Sequence, residues 1–375
     1  MDRSRTSIAR ESPAVLVRRP LVSRTGRLTS TVLVILLLSC RITLGTDDLV
    51  NPIESWFEDS PSTLVSLAEQ PANDPMLDSS AMSAADNRVS SEPVWSLTAE
   101  SIFLVRTGAE SRTLFFDLDT GADVLNVSDL NFNAEPGFEI ELIRHRPGRR
   151  FDIEFRYFAV EAWDASKCVC TSPQLLVMND LYGLNFSDVE AAQAFHATDL
   201  HSAELNFRLR ATDNVTWLVG FRYLELDELF RVKDFFAEFE ELSTTTRNRL
   251  YGAQAGADAL LIGTRFLEVN LVGKVGVFGN AAQQKSMYSV SDASASAATG
   301  NVAFLGEIDW FAEVQLTRRI AARAGYHLIW VAGVALGPDQ VEVTDLRPCC
   351  PPRAGIDANG DTLFHGPHVG ITGTW

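Results

Sequence analysis

The sequence predicts an all-β fold: a transmembrane, up-and-down antiparallel β-barrel of about 12 strands (roughly 10–14), preceded by a disordered N-terminal segment. Three observations predict it. Apolar and polar residues alternate in run after run from about residue 94 to the C-terminus. Many of these runs reach ten residues or more. Tight turns and long connections follow one another alternately along the chain.

The chain has 375 residues and a net charge of -17, yet its start is basic, with Arg3, Arg5, Arg10, Arg18, Arg19, Arg24, Arg27 and Arg41 against Asp2 and Glu11. "TVLVILLLSC" (31–40) then supplies a short apolar run, and small and polar residues follow it. This is the order of a secretory signal peptide, here 1–45 with cleavage near Gly45, and the run is too short to stay in a bilayer as a helix. Cys40 offers a lipoprotein processing site as the other reading. Residues 46–92 are acidic, rich in Ser, Ala, Asp and Pro, and without a sustained period. Such a segment buries too little apolar area to offset chain entropy and is expected to be flexible. Residues 93–375 form the barrel domain. So acidic a chain repels phosphate, which argues against nucleic acid as a partner.

Strands are predicted at roughly 94–106, 112–118, 122–132, 135–145, 149–163, 200–211, 214–226, 249–261, 265–278, 302–316, 319–334 and 363–375, the second and third being weak. The breaks at 146–148, 212–214, 262–264 and 317–318 are turn-like, whereas 165–200, 227–248, 280–300 and 337–361 are long connections. Outer-membrane barrels show this asymmetry, and no repeat of fixed length points to a propeller or solenoid.

Each strand has two chemically different faces. Ala203, Leu205, Phe207 and Leu209 share one side, with Glu204, Asn206, Arg208 and Arg210 on the other. Phe304, Ile308, Trp310, Ala312 and Val314 oppose Glu307, Asp309 and Glu313, and Ile320, Ala322, Tyr326, Leu328 and Trp330 oppose Arg319, Arg323 and His327. Strands of a soluble sandwich are usually about five or six residues long, while a tilted crossing of a bilayer takes about nine to eleven. The apolar faces are therefore expected to meet lipid, with Trp95, Trp163, Trp217, Tyr223, Tyr251, Trp330 and Trp375 as interfacial rings. Near Leu224 and Leu226 the apolar parity breaks, which predicts that the strand leaves the membrane there and sets Glu225, Asp227 and Glu228 at the rim.

"LHSAELNFRLRATDNVTWLVGFRYLELDE", "NRLYGAQAGADALL", "GKVGVFGNAA", "AFLGEIDWFAEVQLTRRIAARAGYHLIWVAGVALGPDQ" and "LFHGPHVGITGTW", after "WSLTAESIFLVRTG", resemble in that order the β-barrel porin family of planctomycete bacteria. The resemblance spans most of 94–375 and implies an outer-membrane barrel. It brings no established substrate, cofactor or catalytic residue.

With polar faces inward, the expected lumen lining is Glu204, Arg208, Arg210, Arg222, Glu268, Lys274, Glu307, Asp309, Glu313, Arg319, Arg323 and His327, together with Glu154 and Arg156. A lumen of both signs either hydrates a porin-like passage for small polar solutes or neutralises itself and fills a narrow scaffold. Outer-membrane lipid is the expected partner, with the barrel assembly machinery reached through the last strand, where Val369, Ile371 and Trp375 share a face. A secreted or lipid-anchored β-rich binding protein with a dry core is the alternative. A barrel hydrolase is a third reading, with His327 as its sole candidate base and no serine tied to it by a motif. No catalysis, no metal site and no cofactor are expected. His365 and His368 lack an acidic third ligand nearby, and "DANGD" (357–361) lacks the glycine and distal glutamate of a calcium loop. Cys168, Cys170, Cys349 and Cys350 form two tight pairs that permit a disulfide between two loops.

Overall fold

The computed structural model describes residues 93–375 except 108–110, 171–175, 179, 185–188, 190 and 235–239. The signal peptide and acidic segment of the sequence reading lie outside the described residues.

Ten antiparallel strands close into a ring: β1 (Trp95–Arg106), β4 (Glu135–Arg144), β5 (Phe151–Cys170), β7 (Ala191–Arg210), β8 (Val215–Asp234), β9 (Glu240–Gly263), β10 (Leu267–Tyr288), β11 (Ala293–Gln315), β12 (Ile320–Val334) and β15 (Gly360–Thr374). Neighbours in sequence are neighbours in the wall, and β15 pairs with β1 to seal it, from Ser96 opposite Thr374 to Arg106 opposite Phe364. Closure removes both sheet edges. The two weak predicted strands are absent from the wall. They form β2 (Thr113–Asp117) and β3 (Asp123–Asn126), which join β6 (Leu176–Met178) in a small separate sheet. β13 (Thr344–Asp345) and β14 (Arg353–Ala354) make a second one.

One end of the barrel carries the tight β4–β5, β7–β8, β9–β10 and β11–β12 turns together with the C-terminus, whose Trp375 carbonyl accepts from the N–H groups of Val94 and Trp95. The other end carries the longer connections. Several of these are shorter than the sequence suggests, because the wall continues into them: β7, β8, β9, β10 and β11 run 20 to 24 residues.

The two halves of the barrel have opposite chemistry. In β8, Trp217, Val219 and Phe221 point outward and are exposed, while Arg222 points inward and is buried. Farther along the same strand Glu225, Asp227, Arg231 and Lys233 take the outward positions, and Leu224, Leu226, Phe230 and Val232 turn inward and are sealed. The backbone keeps its period of two throughout. Only the hydrophobicity changes sides, which is the parity break seen in the sequence. Glu225 and Asp227 do sit on the outer surface, but Glu228 faces inward and is 2 % exposed.

The bore of the loop-end half holds a dry core. Leu114, Phe115, Leu125, Val127, Leu176, Met178, Leu181 and Tyr182 from the loops and small strands form one cluster with Leu200, Leu224, Leu226, Phe230 and Leu250 from the wall. Trp163, expected at a lipid interface, belongs to this cluster with no exposure. A bulge is the reason: the β5–β7 register slips between Val160 and Trp163, and Ala162 takes φ 65° with its N–H donated to Asp199. The extra residue swings Trp163 inward, where Nε1–H donates to the Leu104 carbonyl at 2.8 Å and the ring lies against Phe364.

Trp163→Ala is expected to reduce unfolding free energy by about 3–5 kcal/mol, as for other large-to-small core changes. Trp375→Ala, at the exposed C-terminus, should change it far less. Urea unfolding in detergent followed by circular dichroism checks both.

Candidate functional site

The turn-end half of the bore is filled by a charged network that strand alternation supplies. Glu139 of β4, Glu154 and Arg156 of β5, Glu204 of β7, Arg222 of β8, Lys274 of β10, Glu307 of β11 and His327 of β12 all occupy inward positions and are nearly inaccessible to solvent. Arg156 forks onto Glu139, with Nη2 2.8 Å from one oxygen, and Nη1 reaches Glu307. Arg222 donates to the same Glu307 carboxylate and through Nε to Ser202 at 2.9 Å. Lys274 lies 2.9 Å from Glu204 and 3.4 Å from Glu307, and His327 stands 3.3 Å from Glu307. Glu307 thus gathers three cations and an imidazole around one carboxylate. Gln254 and Asn206 tie Glu204 to Glu154, and Arg208 links Glu154 to Asp258.

A second cluster surrounds Arg323, which lies 3.1 Å from Asp309, 3.3 Å from Glu100 and 3.5 Å from Glu141, with its guanidinium over the Phe311 ring. His368 lies between Glu100 (3.1 Å) and Asp309 (2.9 Å). Such contacts offset the large cost of desolvating ions only because nearly every member has several partners.

Of the twelve lumen-lining candidates, Glu204, Arg208, Arg222, Lys274, Glu307, Asp309, Glu313, Arg323 and His327 share this interior. Arg210, Glu268 and Arg319 are exposed at the turn end, and Glu268, Glu313 and Arg319 line an open vestibule of about 440 Å³ with Arg265, Arg318 and Thr372. The candidate set omitted Glu100, Glu139, Glu141, Asp258 and His368. Glu139 and Glu141 were readable from the alternation of "FEIELIR". His368 was masked by pairing it with His365: an offset of three in a strand puts the two on opposite faces, His368 inside and His365 against Tyr326 outside.

Phe158, fully buried, separates the two halves. Arg156 and Arg222 lie over its ring at 5.7 and 5.6 Å, and His327 meets it edge-on at 5.9 Å. Beyond Phe158 the bore is lined by apolar residues and by uncharged polar ones such as Thr244, Asn248 and Gln284, and it holds one charged island. There Arg106 contacts Glu228 at 2.5 Å, His196 lies 3.2 Å from Glu228, and the Gly337 N–H donates to Glu228 at 2.7 Å. These groups stand well above the apolar belt, in the loop-end half. Burial alone would push the Glu228 carboxyl up, but Arg106 and His196 hold it down to about 2. Burial also pushes the His196 imidazole below its ordinary range, only partly opposed by Glu228.

On the outer surface, a groove of about 640 Å³ crosses β8 to β12, where Ala255, Gly273 and Gly306 leave space between Trp217, Val275, Ile308 and Trp330. Among the described residues no cluster of three or more His, Cys, Asp or Glu is arranged to hold a metal ion. Asp357 instead closes an Asx turn onto the Asn359 N–H. The four cysteines are free, exposed thiols near the loop end, close within each pair: 3.9 Å between the sulfurs of Cys168 and Cys170, and 3.4 Å between those of Cys349 and Cys350.

No protein-family model matches the chain, and no curated protein does. Among solved structures the chain is similar to the outer membrane protease OmpT from Escherichia coli, at 9 % identity over 75 % of this chain and 96 % of that one, with a TM-score of 0.45. It is also similar to an anion-selective porin from Comamonas acidovorans (7 % identity, 75 % and 98 % covered, TM-score 0.17) and to the P. putida toluene transporter TodX (8 %, 76 % and 90 %, TM-score 0.14). Overlap this shallow transfers neither activity nor cargo.

Two outcomes are expected of the network and the island. Glu307→Gln leaves buried cations without their shared carboxylate and should cost about 3–5 kcal/mol in urea unfolding. Acidification should loosen the loop-end core in two stages. His196 titrates lower when folded, so its contribution fades as pH falls through 6.5, its ordinary value. Glu228 also titrates lower when folded, so its contribution is complete above 4.5 and lost on the way down to about 2. His196→Gln should abolish the upper stage and, by removing one of the groups that hold Glu228 down, narrow the lower stage in pH-dependent unfolding curves.

Proposed function

We propose that the chain is an integral outer-membrane β-barrel that serves as a closed, non-catalytic surface scaffold. The observation that carries this reading is the inversion of chemistry between the two halves. Outward apolar positions run from Val215 to Tyr223 in β8 and from Leu267 to Val277 in β10, and then give way to outward polar ones. Those lengths suit a tilted crossing of the hydrocarbon layer, about nine to eleven residues. Tyr157, Tyr223, Tyr251, Tyr326 and Trp330 lie toward one edge of the belt, and Trp95, Trp217 and Trp375 toward the other, where amphipathic rings suit the lipid–water boundary. The secreted, dry-core alternative would hide these apolar faces inside, and in the turn-end half they point out while the charges point in.

In this reading the tight turns face the periplasm and the loop-end half stands outside the cell. The likeness of the strand blocks to planctomycete barrel porins agrees with it, and the terminal strand with Val369, Ile371 and Trp375 outward is the element offered to the assembly machinery. Scaffold is favoured over open pore because the bore is occupied along its length: Arg222 and Glu307 on one side of Phe158, and Leu224, Leu226 and Phe230 on the other, are all sealed from solvent. A passage for small polar solutes is the second reading, supported by the vestibule that opens onto the ionic network. It requires the loop-borne core to move. His327 packs between Glu307 and Phe158, an arrangement that orients the ring without presenting it to a substrate.

The refolded protein is expected to show heat-modifiable gel mobility, to resist carbonate extraction, and to give no steady conductance in planar bilayers. A stable open current would replace the scaffold with a passage. Extraction into the soluble fraction would remove the membrane assignment altogether.

A further inference from the structure

The turn end carries a group of arginines whose guanidinium groups make no ion pair among the described residues. The β4–β5 connection and its flanks hold Arg144, Arg146, Arg149 and Arg150, the β9–β10 turn holds Arg265, and the β11–β12 turn holds Arg318 and Arg319. All are exposed except Arg146, which is half-buried. The exposed arginines outnumber the acids at the same end: Asp152, which receives the Arg146 N–H and lies 3.9 Å from Arg210, Asp213, and Glu268 and Glu313 of the vestibule, while Asp258 is taken up by Arg208. The opposite edge of the belt is built differently, because there Arg249 meets Glu225 and Arg247 meets Asp227. On a chain of net charge -17, a net basic ring is a localised feature.

Its height on the barrel identifies what it meets. Three guanidinium groups lie over aromatic rings at the lower border of the belt: Arg144 over Trp95 at 5.5 Å, Arg146 over Phe151 at 4.6 Å and Arg265 over Phe266 at 5.3 Å. Rings of this kind sit at the headgroup level of a bilayer, so the stacked guanidinium groups stand where lipid phosphates lie, with planar donors free to fork onto phosphate oxygens. We infer that the turn-end arginine ring is a binding belt for the phosphate groups of anionic phospholipids in the leaflet around that end. The inference rests on the outer-membrane reading above.

The test folds the urea-unfolded full chain into phosphatidylcholine vesicles with and without phosphatidylglycerol, reading the rate from the heat-modifiable gel shift. Phosphatidylglycerol should accelerate folding of the natural chain, and salt should erase the gain. The triple variant Arg144→Gln, Arg146→Gln, Arg265→Gln should fold in phosphatidylcholine yet lose roughly tenfold or more of the gain, given about one RT-scale increment or better for each basic group near an anionic surface. The matching lysine variant, which keeps the charge but not the planar fork, should fall between the natural chain and the glutamine variant, and Arg247→Gln with Arg249→Gln, at the other edge, should keep all of it. A gain that survives the triple glutamine change overturns the inference, as does one that never appears. An equal slowing of the glutamine variant in phosphatidylcholine alone also overturns it, by assigning the arginines to the chain's own acids. Failure of every form to enter either vesicle removes the membrane reading itself.

Discussion

A ring of ten tilted strands encloses a bore that side chains must fill, and the identity of the filling decides everything else about this barrel. In the turn-end half the filling is ionic. Because an isolated buried charge is prohibitive, each of these groups is held by its partners from other strands: Glu307 of β11 by Arg156 of β5, Arg222 of β8 and Lys274 of β10. These residues are far apart in the chain and meet only when the ring is closed. The network therefore acts as a register check on closure: a slip by one residue would turn every carboxylate of a strand toward the outside.

The loop-end half meets the same requirement by the opposite means. There the outer surface is polar and the bore is packed with apolar side chains from loops and wall together. An outer face that passes from apolar to polar is matched by an interior that passes the other way, and β8 follows both changes without a change in backbone period.

Much of this was legible before any coordinates. The wall strands in the belt region announce themselves by alternation, because an apolar outer face and a charged inner one make the contrast between faces as large as it can be. The upper portions of β9 and β10 do not. Their inward positions hold Thr244, Thr246, Asn248, Gln284 and Ser286, buried polar residues rather than a greasy stripe. They are polar because they meet loop groups: Thr244 contacts the Tyr182 hydroxyl, Asn248 donates to the Ala335 carbonyl, and Gln284 donates to the Gly355 carbonyl. With polar residues on both faces, such stretches read as long connections, and ladder pairing alone extends them. Trp163 was misplaced for a different reason: the bulge at Ala162 shifts parity by one, and an alanine at positive φ leaves no mark in a composition pattern. Among the lumen residues most of those on β7 to β12 were legible, Glu139 and Glu141 were missed despite the alternation of β4, and His368 was missed because it was weighed only together with His365, which lies on the opposite face of the strand.

The join between the two interiors is where the architecture is most constrained. An ionic cluster abutting an aliphatic core would leave guanidinium edges facing hydrocarbon. Phe158 resolves the mismatch with one ring, its π face turned to Arg156 and Arg222 and its body set within the apolar cluster. An aliphatic side chain at that place could fill the volume but would offer the cations nothing, and a polar one would break the dry core above it. The same ring closes the bore at the level where the outward chemistry changes from apolar to polar. The layer that reconciles the two interiors is thus one in which Phe158 is fully buried, so a route through this barrel would have to displace Phe158 and strip two buried arginines of an aromatic partner at the same time.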